Sequence, residues 1–301
     1  MKGTNSSSAL AGTALRSRTG KERKPPQRAR DWQSRLFRAL VYGFTMLSLL
    51  VLLYIIADII IHGLPGLSPA LFSWTYTTEN ISLLPALLNT LSMVLLCLLI
   101  SVPVSIGCAL FLVEFARPDS WFSRLILTAV QTLGGVPSIV FGLFGALFFV
   151  RFCHLGLSLL SGVLTMVMMV LPLGIKTTQE ALQEVPMARR EASYALGAGK
   201  ARTIFKIVLP EAAPGILNGI VLSTGRIVGE SAALIFTAGT LAKAAPDLFS
   251  SARTLAVHMY ALSSEGLYLQ QTYSTALVLL ILTIGLNAAS QGIEKRMKRE
   301  K

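Results

Sequence analysis

Six stretches of the chain are apolar over about twenty residues or more: 39–61, 88–113, 125–150, 155–175, 214–241 and 270–291. A helix that crosses a bilayer needs about 20 such residues, so the pattern predicts six spanning helices. Several stretches exceed that length, which predicts tilt or kinks. Pro103 in the second, and Gly134, Gly135 and Pro137 in the third, are the expected kink points. Neighbouring helices can satisfy the backbone groups that Pro frees, and Gly lets helices approach closely. Ahead of the first apolar stretch lie about 35 polar residues rich in Ser, Gly, Pro and Arg. Such a segment cannot bury a core and is expected to be disordered. It is also too long and too polar to open a cleavable signal peptide.

Composition supports a membrane protein. Of the 301 residues, 53% are hydrophobic and 14% charged, whereas soluble domains run near a quarter charged. The net charge of +12 is concentrated at the ends and in loops. With the N-terminus taken as cytoplasmic, the inner segments hold 23 Lys/Arg: ten in the N-terminal tail, two in 114–124, six in 176–213 and five in the C-terminal tail. The outer segments hold Arg151, Lys243 and Arg253. This bias predicts that both termini are cytoplasmic. Basic residues that flank apolar segments fit lipid headgroups. No nucleic-acid reader motif accompanies them, so nucleic acid is not expected as a partner. Cys97, Cys108 and Cys153 form no paired spacing and read as small buried hydrophobes, not as a disulfide framework.

Two loops stand out. The outer loop 62–87 carries Pro65, Pro69, Trp74, Tyr76 and Pro85, with its aromatics expected at headgroup level. The inner loop 176–213 is far longer than an ordinary connection, yet it is patterned. Thr178 is expected to cap a first short helix with Ala181 and Leu182 as its apolar contacts, and Pro186 to break it and open a second. Ala188, Ala192 and Ala195 recur at helical spacing, Gly197 and Gly199 interrupt, and Ile204, Phe205 and Val208 resume the apolar face. Two short helices with a glycine turn are predicted. The run "GAGKAR" is not a phosphate-binding loop: Lys200 is followed by Ala201, and Tyr194 holds the first glycine position.

The same loop reads E-A-S-x3-G-x9-I-x-L-P through Glu191, Ala192, Ser193, Gly197, Ile207, Leu209 and Pro210. This resembles the E-A-A-x3-G-x9-I-x-L-P motif of ABC-importer permeases, with Ser193 where Ala is usual. The segments "GGVPSIVFGLFG" (134–145) and "GRIVGESAALIFTAG" (225–239) resemble the phosphate-specific permeases, the PstA type most. Ser231 and Ala233 depart from the Thr and Pro usual there. The resemblance covers roughly 85–291. It implies an all-α membrane protein with six transmembrane helices, a type I ABC-importer transmembrane domain with a cytoplasmic coupling helix, and both termini inside. The implied organisation is a basic tail (1–35), a first transmembrane helix and outer loop (36–86), the permease domain (87–291, with coupling loop 176–213) and a second basic tail (292–301).

The resemblance also implies partners: a dimer of ATP-binding subunits, a second homologous permease, an external phosphate-binding protein and membrane lipid. Glu191, Ala192, Gly197, Ile207, Leu209 and Pro210, with Arg190 as a lesser candidate, would serve coupling to the ATPase. Arg190 reads more simply as a cytoplasmic positive charge or a contact to the ATPase. ATP would be used by the partner subunit, with no cofactor or metal on this chain, which is not expected to be an enzyme. The location implied is the bacterial inner membrane.

Arg226 and Glu230 are the only charges between Glu211 and Lys243. A charge at mid-bilayer costs about 2.5–3.5 kcal/mol on insertion scales. On a continuous helix residues i and i+4 share a face, so the two are expected to point together into the bundle, with Gly225 and Gly229 thinning the helix beside them. Two readings follow. A self-screening ion pair explains tolerance. An anion path explains retention, because a guanidinium fork matches phosphate oxygens and a carboxylate accepts from the hydroxyl of a protonated phosphate. Ser138, Ser223, Thr224 and Ser231 could line such a path, or be ordinary helix-to-helix hydroxyls. His62, His154 and His258 are expected near the outer surface, without metal spacing. The rival readings are a permease of the same fold for another oxyanion or small solute, and a proton-coupled secondary transporter with Glu230 as carrier. The docking motif argues against the second.

Overall fold

A computed structural model describes residues 27–117 and 120–299. The described residues are helical and turn structure without strands, as the apolar pattern predicts. The elements are α1 (Gln27–Gly63), α2 (Leu84–Leu110), α3 (Trp121–Gly134), α4 (Ser138–Gly145), α5 (Leu159–Gln183), α6 (Met187–Ala195), α7 (Lys200–Thr203), α8 (Leu209–Gly229), α9 (Ala232–Thr237), α10 (Leu255–Glu265) and α11 (Leu269–Arg299). Short π-helical stretches extend α2 (Phe111–Phe115) and α4 (Ala146–Phe152) and join α7 to α8 (Ile204–Val208).

The chain divides into two units, residues 1–55 and 56–301. The described part of the first is the larger portion of α1, where the apolar side chains from Leu36 to Ile55 are exposed, as suits a helix in lipid. Residues 1–26 of the expected tail lie outside the described residues. From Gln27 the backbone is already helical, so the expected disorder up to residue 35 is corrected there. Likewise the C-terminal tail from 292 continues α11 as far as Arg299.

Within the second unit α5 is the centre, packed against α2, α3, α4, α8 and α9. Its apolar face is wide: Val163, Met166, Met169 and Val170 are buried, against Met93 and Cys97 of α2, Phe141 of α4, and Ile227 and Val228 of α8. Small residues set the spacing of α5 and α8. A Cβ on Gly215 would lie 2.6 Å from that of Ala181, and one on Gly219 would overlap Thr177. These contacts fix an antiparallel register in which Gly215 faces Ala181 and Gly219 faces Thr177.

Five helices are long and apolar enough to cross a membrane, or six if one bent pair counts as a span. The bent pair is the predicted third span. It is two helices with a bend of 108° between them, not one helix from 125 to 150. The cause is Pro137, which has no N–H and keeps Val136 out of the helical region. α3 stops at Gly134, and Pro137 opens α4 with φ −60° and ψ 143°. Pro103 by contrast lies inside a continuous α2. The predicted span 214–241 also needs correction: α8 ends at Gly229, Glu230 takes an extended ψ of 127°, and α9 is a separate short helix. Thr178 caps nothing, since it is buried within α5, which runs on to Gln183. Ala181 and Leu182 are buried as expected, but in the last turns of that same helix. The short helix expected to open at Pro186 is present as α6, with Pro186 as its N-cap, and past Gly197 at φ +80° a further short helix, α7, follows.

Candidate functional site

Arg226 and Glu230 do not form the helical pair that their spacing suggests. Arg226 is in the last turn of α8. Glu230 lies past the helix end, and its Oε1 accepts a hydrogen bond from the Ala233 N–H at 3.0 Å, at the start of α9. No ion pair joins them, and no hydrogen bond or ion pair engages Arg226 among the described residues. Gly225 and Gly229 face open space within this chain, so they thin no contact here.

Arg226 instead lines a cleft of about 320 Å³ with Val130, Gln131 and Gly134 of α3 and Met169, Pro172, Leu173 and Lys176 of α5. The helix register explains why the two cations share it. Side chains on a helix lean toward its N-terminus. α5 and α8 are antiparallel, so Lys176 and Arg226 lean toward one another along the seam from opposite ends. The lining holds two cations and a carboxamide, with no carboxylate. Such a set can bind an oxyanion through charge-assisted hydrogen bonds. A second cleft, about 540 Å³ at the other end of the α5–α8 seam, carries Glu184 and Glu211 and is electrostatically wrong for an anion.

Sequence reading missed Lys176. It was placed at the start of the inner loop, because the apolar run ends at residue 175. The signal was the continuing pattern of Thr178, Ala181 and Leu182, which keeps α5 helical for two more turns. At 1.5 Å per residue, Lys176 lies about 10 Å inside the end of that helix. The remaining hydroxyls scatter. Ser223 is buried in a tight seam with Ser101, Ser105, Thr177 and Thr178 and does not line the cleft. Thr224 bonds back to the Ile220 carbonyl at 2.8 Å. Ser138 begins α4 and Ser231 adjoins Glu230, both half-buried.

On the α6–α7 hairpin, Glu191, Ala192 and Gly197 are exposed, Ile207 and Leu209 are half-buried, and Pro210 is exposed in the first turn of α8. Leu196, Met187 and Phe205 are exposed as well. A cleft of about 480 Å³ opens between Arg189, Ala192, Leu196, Gly197, Arg202 and Ile207. Ser193 is buried and shares a 2.8 Å hydrogen bond with the Thr203 hydroxyl, closing the hairpin. Arg190 corrects its expectation as a free cytoplasmic charge or ATPase contact: it is buried against Glu114 and the Leu182 carbonyl.

His258, expected near the outer face, is enclosed by the chain itself. It is fully buried on α10, edge-on to Tyr76, with Arg253 Nη1 3.4 Å from its Nδ1. Burial, then the adjacent guanidinium, lowers its pKa to about 3. Above pH 6.5 His258 is neutral whether folded or unfolded. Below it the unfolded chain takes a proton that the folded chain refuses until about pH 3. Stability is therefore expected to fall by about 1.4 kcal/mol per pH unit in that window on account of this residue. Melting curves in detergent at pH 7.5 and 4.5 check this: His258→Gln should lose less stability on acidification than the parent.

The fold is that of an all-helical protein with five or six helices long and apolar enough to cross a membrane. The match that makes this specific is to the family described as binding-protein-dependent transport system inner membrane component, over residues 101–299. The chain belongs to this family, and is thus an inner-membrane permease subunit of an ABC importer and not a catalytic enzyme. It is 32% identical over 237 residues to a probable ABC transporter permease protein, YqgI, of Bacillus subtilis, covering 72% of this chain and 79% of that one. It is 33% identical over 218 residues to a probable phosphate transport system permease protein, PstA, of Methanocaldococcus jannaschii, covering 71% and 75%. In fold it is similar to a chain of a bacterial ABC transporter that imports the acidic polysaccharide alginate, with a TM-score of 0.64 and 16% identity, over 89% of this chain and 99% of that one.

Proposed function

We propose that this subunit conducts inorganic phosphate inward across the bacterial inner membrane, driven by ATP hydrolysed on separate chains. The observation that carries the reading is the cleft in which Arg226, Lys176 and Gln131 meet without a carboxylate. Two cations lining one cleft favour an anion there, and an arginine without a partner in a membrane-spanning helix is costly. A transiting anion relieves that cost. Phosphate suits the set because guanidinium donors match its oxygens. Glu230, one step past the helix end, would meet the ion first and accept from its hydroxyl, which a fully ionised sulfate lacks. Ser231 follows Glu230 directly in the chain, and Ser138 starts α4. Ser223 is better read as a helix-to-helix hydroxyl. Relatives named as phosphate permeases support the substrate.

Coupling would run through the α6–α7 hairpin. Glu191, Ala192 and Gly197 present small or polar surface to a groove on one partner ATPase, while Ile207, Leu209 and Pro210 carry the hairpin into the first turn of α8. A second homologous permease, two ATPase copies and an external phosphate-binding protein complete the assembly, with both termini of this chain cytoplasmic. ATP binding draws the coupling hairpins together and opens the path outward, and hydrolysis resets it. This chain needs no cofactor for that work.

The experiment is uptake by the four-component importer in proteoliposomes. Phosphate uptake should require ATP and the ATPase, and an equal concentration of sulfate should not compete. Uptake without the ATPase, or ATP-driven uptake of another solute while phosphate is ignored, sinks the reading.

A further inference from the structure

The α6–α7 hairpin is fastened to the spanning helices by groups that neither the cleft nor the docking face uses. Arg190 and Glu114 form an ion pair whose side chains are only 11% and 6% exposed. Glu114 is the last residue but one of the π-helical extension of α2. The second guanidinium nitrogen of Arg190 donates to the Leu182 carbonyl at 2.7 Å, in the last turn of α5. From α7, Lys200 donates to the Glu114 carbonyl and sits 4.5 Å over the Phe115 ring. Arg189 also reaches Glu211 of α8 at 2.6 Å, but that pair is 62% and 21% exposed and so is worth little.

A buried ion pair is weak evidence for stability, because desolvation offsets attraction. Its distinctive property is geometric. One guanidinium holds the ends of two helices at once, in fixed directions. α8 is already joined to the hairpin by continuous helix through α7. α2 has no such covalent route to α6, and the Arg190–Glu114 pair and the Lys200 contacts supply the link.

We propose that the Arg190–Glu114 pair is a strut that transmits displacement of α6 to α2, staying formed throughout the transport cycle. This rests on the reading that α6 docks on the ATPase. Arg190 and Glu114 are positioning residues in this scheme. They touch neither phosphate nor the partner.

The test uses the complete importer in proteoliposomes, reading ATP hydrolysis and phosphate uptake together. In Glu114→Gln and Arg190→Gln, stimulated ATP hydrolysis should persist while uptake falls, raising ATP consumed per phosphate about ten-fold. An unchanged ratio overturns the strut, whether both rates hold or both fall. If either variant fails to assemble, Glu114→Cys with Arg190→Cys, in a chain with Cys97, Cys108 and Cys153 replaced by alanine, decides instead. Bridging the two with a short bismaleimide should raise uptake above the unbridged level. A bridge that blocks uptake, or changes nothing, overturns the proposal. An Ala192→Cys probe separates the underlying reading. If it never cross-links to the ATPase, docking itself fails. If it cross-links and the ratio stays normal, only the strut fails.

Discussion

Arg226→Gln should reduce phosphate uptake by about 10²–10⁴-fold while leaving the subunit assembled. The magnitude follows from the bonds lost. A guanidinium offers an oxyanion two charge-assisted hydrogen bonds of about 1.5–3 kcal/mol each, and each 1.4 kcal/mol is a factor of ten. The subunit survives because Arg226 leaves no partner behind: no carboxylate in the described chain depends on it, so no buried charge is orphaned. Arg226→Lys keeps the charge and loses the fork, and should retain a fraction of uptake. Glu230→Gln should do far less harm than Arg226→Gln, since a carboxamide oxygen can still accept from the Ala233 N–H. Glu230→Ala removes that hydrogen bond and should cost about 1 kcal/mol of stability. Uptake assayed with assembled complex quantified on the same membranes checks the series. Equal, severe losses from Arg226→Gln and Glu230→Gln would restore the pair as a unit and contradict the separate positions found here.

Much of the bundle was legible because lipid imposes a length rule on apolar runs, and five of the six predicted stretches correspond to spanning helices. The sixth, 125–150, was misread as one helix for a definable reason. Periodicity records apolar character, and both arms of the bend are apolar; only Gly134–Gly135 and Pro137 mark the break, and a proline can equally sit in an unbroken helix, as Pro103 does in α2. The same blindness hid the end of α8. Nothing in "RIVGES" announces that Glu230 leaves the helix, because its bond to the start of α9 is visible only once Ala233 is in place. Lys176 is hidden for the opposite reason: a charge after an apolar run reads as the end of a helix that in fact continues to Gln183. The hairpin, in contrast, was read well, since Pro186 and Gly197 each dictate backbone geometry by themselves. What no pattern could supply was Glu114 as the partner of Arg190, a contact between residues 76 apart in the chain.

Leu196→Asp should release the ATPase from the permease without unfolding it. Leu196 is 89% exposed at the tip between α6 and α7, so the aspartate displaces no packing inside the chain, and a change at so exposed a position alters stability by about 0.5 kcal/mol or less. Its neighbours in the turn are held independently: the Gly197 N–H donates to the Tyr194 carbonyl at 2.9 Å and the Ala198 N–H to the Ser193 carbonyl at 3.1 Å. The turn therefore keeps its shape. What changes is the docking face. An apolar side chain that seats in a partner groove is worth about 2 kcal/mol or more when removed, and a carboxylate in its place adds the cost of burying a charge without a partner. Affinity for the ATPase should fall by at least about 30-fold, and stimulated ATP hydrolysis and uptake should fall together. That joint loss distinguishes a broken dock from a broken strut, where hydrolysis survives and uptake does not. Co-purification of the ATPase with the mutant permease, alongside the thermal melt of the permease alone, measures both halves. Full co-purification with Leu196→Asp would mean that this exposed leucine faces something other than the motor.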